Sequence, residues 1–179
     1  MNRRILLLAP LGVAVVAGGG FLAMLHGMES GKFDPRAIPS PLVGKPVPPF
    51  VLPGLTNADL AAQLAQGRPV LVNFFASWCA PCVLEAPALM ALKQGGVTLI
   101  GIAYKDQKAD TDRFIAEHGD PYATLTEDAP GRVAIDWGVT GVPETFLIDP
   151  HGIIRWHFAG PLTDQTVAQD LGPLLKRYA

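Results

Sequence analysis

Residues 70–82 read Val-Leu-Val-Asn-Phe-Phe-Ala-Ser-Trp-Cys-Ala-Pro-Cys (VLVNFFASWCAPC). Val70 to Phe75, apolar except for Asn73, has the length and β-branched and aromatic character of a strand buried on both faces. Ala76 and Ser77 leave that strand, and Cys79 and Cys82 follow at once. Beyond them Val83, Leu84, Ala86, Leu89, Met90 and Leu92 recur at helical spacing. A dithiol therefore sits where a buried strand hands over to a helix. The unpaired N–H groups and positive dipole end of a helix stabilise a thiolate there, so the stretch reads as a redox-active pair.

The chain has 179 residues and only these two cysteines. A structural staple closing so short a loop would constrain the unfolded chain little. Zinc needs about four ligands, and His26, His118, His151 and His157 are scattered, so no metal is expected. A lone C-x-x-C beside a βαβ pattern favours redox chemistry. The formal charge is −2, and without Arg3 and Arg4 there are 12 basic against 16 acidic residues, with no basic patch. Nucleic acid is an unsuitable partner for such a surface.

Arg3-Arg4 precedes Ile5 to Leu25, 21 uncharged residues. At about 1.5 Å each they match the ~30 Å hydrocarbon core of a bilayer. The arginines favour a cytoplasmic N-terminus and an external remainder. A cleaved signal peptide is the alternative, but Gly18 to Gly20 come early in the run and no A-x-A site follows it. The expected organisation is an anchor at 1–27, a Pro/Gly-rich linker at 28–48 and a globular domain at 49–179.

Within that domain, Pro49 to Leu52 suggests a short edge strand. Thr56 or Asn57 caps a short helix with Leu60, Ala61 and Leu64 on one face, ending at Gly67. Val97 to Ala103 is a second buried strand, parallel to the first through a right-handed crossover. Asp110 or Thr111 caps a helix stopped at Gly119. Tyr122 to Leu125 reads as a short strand and Gly131 to Trp137 as a helical turn or two. Glu144 to Asp149 and Ile153 to Phe158 form a hairpin about Pro150-His151-Gly152. Thr163 or Asp164 caps a last helix, with Gly172-Pro173 marking a kink. His151 and His157 read as surface residues.

Trp78-Cys79-Ala80-Pro81-Cys82 after a buried strand, with Val142-Pro143 opening a later one, resembles the thioredoxin fold, an α/β architecture with a central mixed sheet flanked by helices. The segment Gly138 to Asp149 (GVTGVPETFLID), together with Tyr104-Lys105-Asp106 and Asp120-Pro121-Tyr122-Ala123, narrows the resemblance to the DsbE/CcmG type. These are membrane-anchored thioredoxin-like proteins of cytochrome c maturation. The resemblance runs from about Gly44 to the C-terminus.

It implies a cis Val142–Pro143 bond against the dithiol, and a thiol–disulfide oxidoreductase needing no cofactor beyond the pair itself. Cys79 would be the nucleophile and Cys82 the resolving thiol. The implied partners are apocytochrome c, whose heme-binding cysteines (C-x-x-C-H) would be reduced directly or through a maturation thiol protein, and a DsbD/CcdA-like membrane electron donor. The implied location is a bacterial inner membrane, with one span and the C-terminal domain in the periplasm. An anchored reductase for another extracytoplasmic target, such as a copper-site assembly protein, or a non-catalytic apocytochrome-binding module are the competing readings.

Four further residues are candidates for binding or tuning. Trp78 would shield the dithiol or simply pack. Pro143 would border the substrate. Glu144, beside that proline, would raise the pKa of Cys79 or be a solvated strand-end acid. Glu85 matches the acidic position of this subfamily or is an exposed first-turn acid favourable to the helix dipole. Many thioredoxins keep a buried acid near Asn73 as proton acceptor for the second cysteine. Asn73 cannot ionise, so that role is expected of Glu144 or water.

Overall fold

The computed structural model describes residues 3–29 and 40–179, and within the first stretch the side chains of 12–24 and 26. The chain divides into two units, Met1–Ile38 and Pro39–Ala179. The first contains one helix, α1 (Arg3–Glu29). Among the described residues no helix is long and apolar enough to cross a membrane. The 21-residue apolar run of the sequence falls partly outside the described side chains. Residues 30–39 of the expected 28–48 linker lie outside the described residues altogether.

Residues 40–48 are not a linker. Pro46 bridges Ile153, Gly44 N–H donates to Ile154 O, and Val47 N–H donates to Gly152 O. Leu42 and Val47 pack on the core. Proline prevents regular structure here, but it does not prevent a chain from lying along an edge strand.

The globular unit begins with a small hairpin, β1 (Val51–Leu52) and β2 (Leu55–Thr56). Thr56 then caps α2 (Asn57–Leu64) in a reciprocal box with Asp59. Leu60 and Leu64 are buried as expected, whereas Ala61 is exposed. The main elements are β3 (Val70–Phe75), α3 (Ala80–Gln94), β4 (Thr98–Tyr104), α4 (Lys108–His118), β5 (Thr124–Asp128), α5 (Arg132–Asp136), β6 (Glu144–Ile148) and β7 (Ile154–Ala159). The chain closes with α6 (Asp164–Thr166), a π-turn (Val167–Leu171) and α7 (Gly172–Tyr178). The π-turn meets Gly172-Pro173, where proline removes a helical N–H. Thr163 caps the segment through Thr166 N–H.

The five main strands lie in the order β5-β4-β3-β6-β7. β3, β4 and β5 are parallel to one another, while β6 is antiparallel to both β3 and β7. This is the mixed, helix-flanked thioredoxin-like sheet expected. Helix α4 differs from expectation: it starts at Lys108 after Gln107, without a side-chain cap, and Thr111 is buried within it.

Every residue of β3 is buried, because both faces of this central strand are covered. Val70, Val72 and Phe74 point into a cluster with Ile100, Ile102, Phe146 and Trp137. Trp137 meets Phe50, Phe74 and Phe146 edge-on, at centroid distances of 5.2–5.9 Å. Leu71 and Phe75 point the other way, into a cluster with Leu99, Leu147, Leu89 and both cysteines. The period-two alternation of a strand thus assigns each later site residue to one face or the other.

Candidate active site

Cys79 is the N-cap of α3 (φ −93°, ψ 102°), and Pro81 lies in the first turn, where a missing N–H costs nothing. Cys79 and Cys82 form a disulfide. The Cys82 N–H donates to Cys79 Sγ at 3.2 Å. This helix-end donor would favour a Cys79 thiolate in the reduced protein. Both residues are nearly covered, Cys79 at 4% and Cys82 at 2% exposure. Exposure hardly distinguishes them; position on the helix does.

The approach to Cys79 is built from two loops. Asp106 clamps the first: its carboxylate accepts from Ser77 N–H at 2.6 Å and Ser77 Oγ–H at 2.9 Å. Trp78, next along, is 60% exposed, so it is not a core residue. Its Nε1–H donates to the Lys105 carbonyl at 3.3 Å, where the chain takes the left-handed region (φ 47°). The second loop carries the Val142–Pro143 bond, which is cis as expected. The Val142 carbonyl oxygen lies 3.4 Å from Cys79 Sγ. The Pro143 carbonyl accepts from Gly160 N–H at 2.9 Å. The residue that touches the disulfide in this loop is thus Val142, immediately before Pro143.

Glu144 does not lie where the sequence suggested. It pairs with Phe74 across the β3–β6 ladder, so its side chain is on the Phe74–Phe146 face, opposite the cysteines. Nor is it solvated: it is 1% exposed. One carboxylate oxygen accepts from Thr140 N–H, Thr140 Oγ1–H and Gly141 N–H, and the other meets His157 Nε2 at 2.6 Å. Burial pushes its pKa up, but the bonds from His157 and Thr140 outweigh this and hold it below the usual carboxylate value. His157 is likewise not a surface residue, its side chain being 7% exposed. Its flanking pattern on an edge strand carried no sign of a buried partner thirteen residues away.

The acid on the dithiol face is Glu85. It follows Cys82 by three residues, one helical turn, and is fully buried rather than an exposed first-turn acid. Asn73, on β3, donates its amide to Glu85 Oε1 at 3.0 Å and to Thr145 Oγ1 at 3.0 Å. Tyr122 Oη–H donates to Asn73 Oδ1 at 2.7 Å. Leu162 N–H donates to Glu85 Oε2 at 3.2 Å. Burial pushes the Glu85 pKa up to about 7, against the opposing pull of the Leu162 and Asn73 bonds. Asn73 thus does not replace a buried acid; it holds one. Glu85 and Cys82 line the same cavity of about 10 Å³, also bounded by Phe75, Phe114 and Tyr122, near the ~10–15 Å³ one water requires.

Tyr122 reaches Asn73 because β4 offers no side chain in its way. A Cβ at Gly101 would lie 2.7 Å from the Tyr122 ring. A glycine inside an otherwise apolar strand signals such a close approach, and Gly101 was the available clue to this network.

With the geometry in view, comparison with known proteins assigns the family. A sequence profile described as Redoxin matches residues 42–171. The thiol:disulfide interchange protein HelX of Rhodobacter capsulatus is 40% identical over 98% of this chain and 97% of its own. The chain belongs to the DsbE/HelX family of redoxins. The thiol:disulfide interchange protein DsbE of Escherichia coli K12 is 38% identical, covering 100% of this chain and 97% of its own. A crystal structure described as a DsbE protein from Chlorobium tepidum superimposes with a TM-score of 0.59 at 27% identity, covering 74% of this chain and 95% of that one. With its Cys-x-x-Cys pair, this DsbE/HelX member is a thiol–disulfide oxidoreductase.

Proposed function

We propose that this DsbE/HelX member is a membrane-anchored reductase of the periplasm, which reduces the heme-binding cysteines of apocytochrome c directly or through a maturation thiol protein. The observation that carries the reducing direction is the burial of Glu85 in the same cavity as Cys82. An ionised carboxylate there disfavours a neighbouring thiolate and so destabilises the dithiol form relative to the disulfide. A pair less stable when reduced is the better electron donor.

In the proposed cycle the Cys79 thiolate attacks one sulfur of the target disulfide, forming a mixed disulfide and releasing the target's other thiolate. Cys82, deprotonated by Glu85 directly or through one water, attacks Cys79 Sγ. The second target thiolate leaves, both target sulfurs take up protons, and Cys79–Cys82 becomes the disulfide. Two electrons have moved to the target, and no cofactor takes part. Exposed Trp78 supplies an apolar contact beside the pair, and Pro143 borders the incoming segment. A DsbD/CcdA-like dithiol in the membrane returns the two electrons.

Anchoring is supported by Arg3-Arg4 ahead of the apolar run and by the exposure of Val13, Val15, Val16, Phe21, Leu22 and Met24 on α1. The alignment with HelX also extends through this segment.

The test is the equilibrium potential of Cys79–Cys82 against glutathione, followed by trapping with Cys82→Ser. A potential between roughly −270 and −180 mV, with a stable mixed disulfide to an oxidised C-x-x-C-H peptide, is expected. A value near −120 mV, that of strong oxidants, would make the protein an oxidase and refute the proposal.

A further inference from the structure

We propose that His157 is a positioning residue for peptide substrates: with Glu144 it clamps the loop that presents the backbone beside the cis-proline to an incoming chain. The inference rests on the disulfide-exchange activity and not on which protein is the target.

The geometry is a closed set of contacts on the sheet face away from the sulfurs. Glu144 Oε1 gathers three donors, Thr140 N–H and Oγ1–H at 2.7 Å each and Gly141 N–H at 3.1 Å. These belong to the two residues just before Val142-Pro143. Glu144 Oε2 has His157 Nε2 at 2.6 Å, and the His157 ring is braced by Phe146 at a centroid distance of 4.5 Å. Both side chains are almost wholly covered, at 7% and 1% exposure. Without His157, Oε2 would be a buried acceptor with no partner. The carboxylate would turn to recover one, and Oε1 would leave the Thr140 and Gly141 amides.

The consequence lands on Val142. Its carbonyl lies 3.4 Å from Cys79 Sγ, and its N–H takes part in none of the hydrogen bonds among the described residues. Pro143 O is already engaged by Gly160. The backbone available for pairing with a substrate strand is therefore that of Val142, between the clamp and the disulfide. A peptide uses that backbone; a small disulfide does not need it. The clamp thus contributes orientation to peptide substrates and little to the sulfurs themselves.

The experiment compares wild type, His157→Phe, His157→Gln and Thr140→Val as full chains in non-ionic detergent. The substrates are an oxidised linear peptide containing one C-x-x-C disulfide, and oxidised glutathione. For His157→Phe a tenfold or greater loss of kcat/KM on the peptide is expected, with less than a twofold change on glutathione and in the equilibrium constant with glutathione. Gln, whose amide N–H can reach Oε2, is expected to recover most of the peptide rate. Should the Phe variant fail to fold, Thr140→Val removes one clamp donor at an exposed position and is expected to show the same split at about threefold. Equal losses on both substrates, a shifted equilibrium constant, or an unchanged peptide rate in both His157→Phe and Thr140→Val would each overturn the clamp.

Discussion

Glu85 makes the stability of this protein depend on pH in a direction opposite to that of most carboxylates. Moving its carboxyl from an ordinary 4.5 to about 7 makes ionisation about 3 kcal/mol more costly in the folded protein than in the unfolded chain. Below pH 4.5 the group is protonated in both states and contributes no difference. Between 4.5 and 7 the unfolded chain loses the proton while the folded protein keeps it, so stability falls as pH rises. Above 7 both states are ionised and the full cost is present.

Glu85→Gln removes the titration. Its single carbonyl oxygen cannot serve both Asn73 and Leu162, so one donor faces an amide nitrogen, a constant penalty of about 1–3 kcal/mol. The variant is thus expected to be less stable than wild type at pH 4.5, and to gain on it by about 3 kcal/mol by pH 8. Urea denaturation of both oxidised proteins from pH 4 to 8.5 measures this, since the disulfide keeps the cysteines from titrating. The difference between the two curves cancels every other group. A difference that does not vary with pH would refute a strongly raised Glu85 pKa and, with it, the acid's suitability for taking the Cys82 proton near neutrality.

Three other outcomes follow from the same contacts. Gly101→Ala drives a Cβ to 2.7 Å from the Tyr122 ring; a loss of about 1–3 kcal/mol is expected, with a changed near-ultraviolet spectrum, and unaltered stability would show the ring is free to move. Tyr122→Phe leaves Asn73 Oδ1 buried without its hydroxyl donor and should cost about 1–3 kcal/mol by denaturation, with no change in the rate at which small disulfides are reduced. Asp106→Ala deprives Ser77 of its acceptors and is expected to cost about 2 kcal/mol, while lowering turnover on peptide disulfides; full turnover would show that the Ser77–Trp78 turn holds without the clamp.

Much of this was legible along the chain. The strand–dithiol–helix order, the parallel β3–β4 pair and the terminal hairpin follow from hydrophobic periodicity and from turn residues that act over a few positions. The boundaries that went astray are those set by distant partners. Residues 40–48 look like a linker because they are rich in proline, yet they are held by backbone bonds to residues 152–154. Helix α4 begins at Lys108, two residues before the capping acid the sequence offers.

The two acids near the site show the division most clearly. From sequence, Glu144 stands beside the proline and Glu85 on a helix, and the first seems closer to the sulfurs. Residue type, spacing and strand alternation determined that one acid would follow Cys82 by a turn and that another would open β6. Which of them shares a face with the disulfide was decided by the β3–β6 register, which sets Glu144 opposite Phe74. How strongly Glu85 holds its proton was decided by burial beneath Asn73, Tyr122 and the Leu162 amide, the last 77 residues away in sequence. Periodicity is a local property and can be read from a string. Desolvation and pairing across a sheet depend on what the rest of the chain brings to the same point, and only the folded protein contains that information.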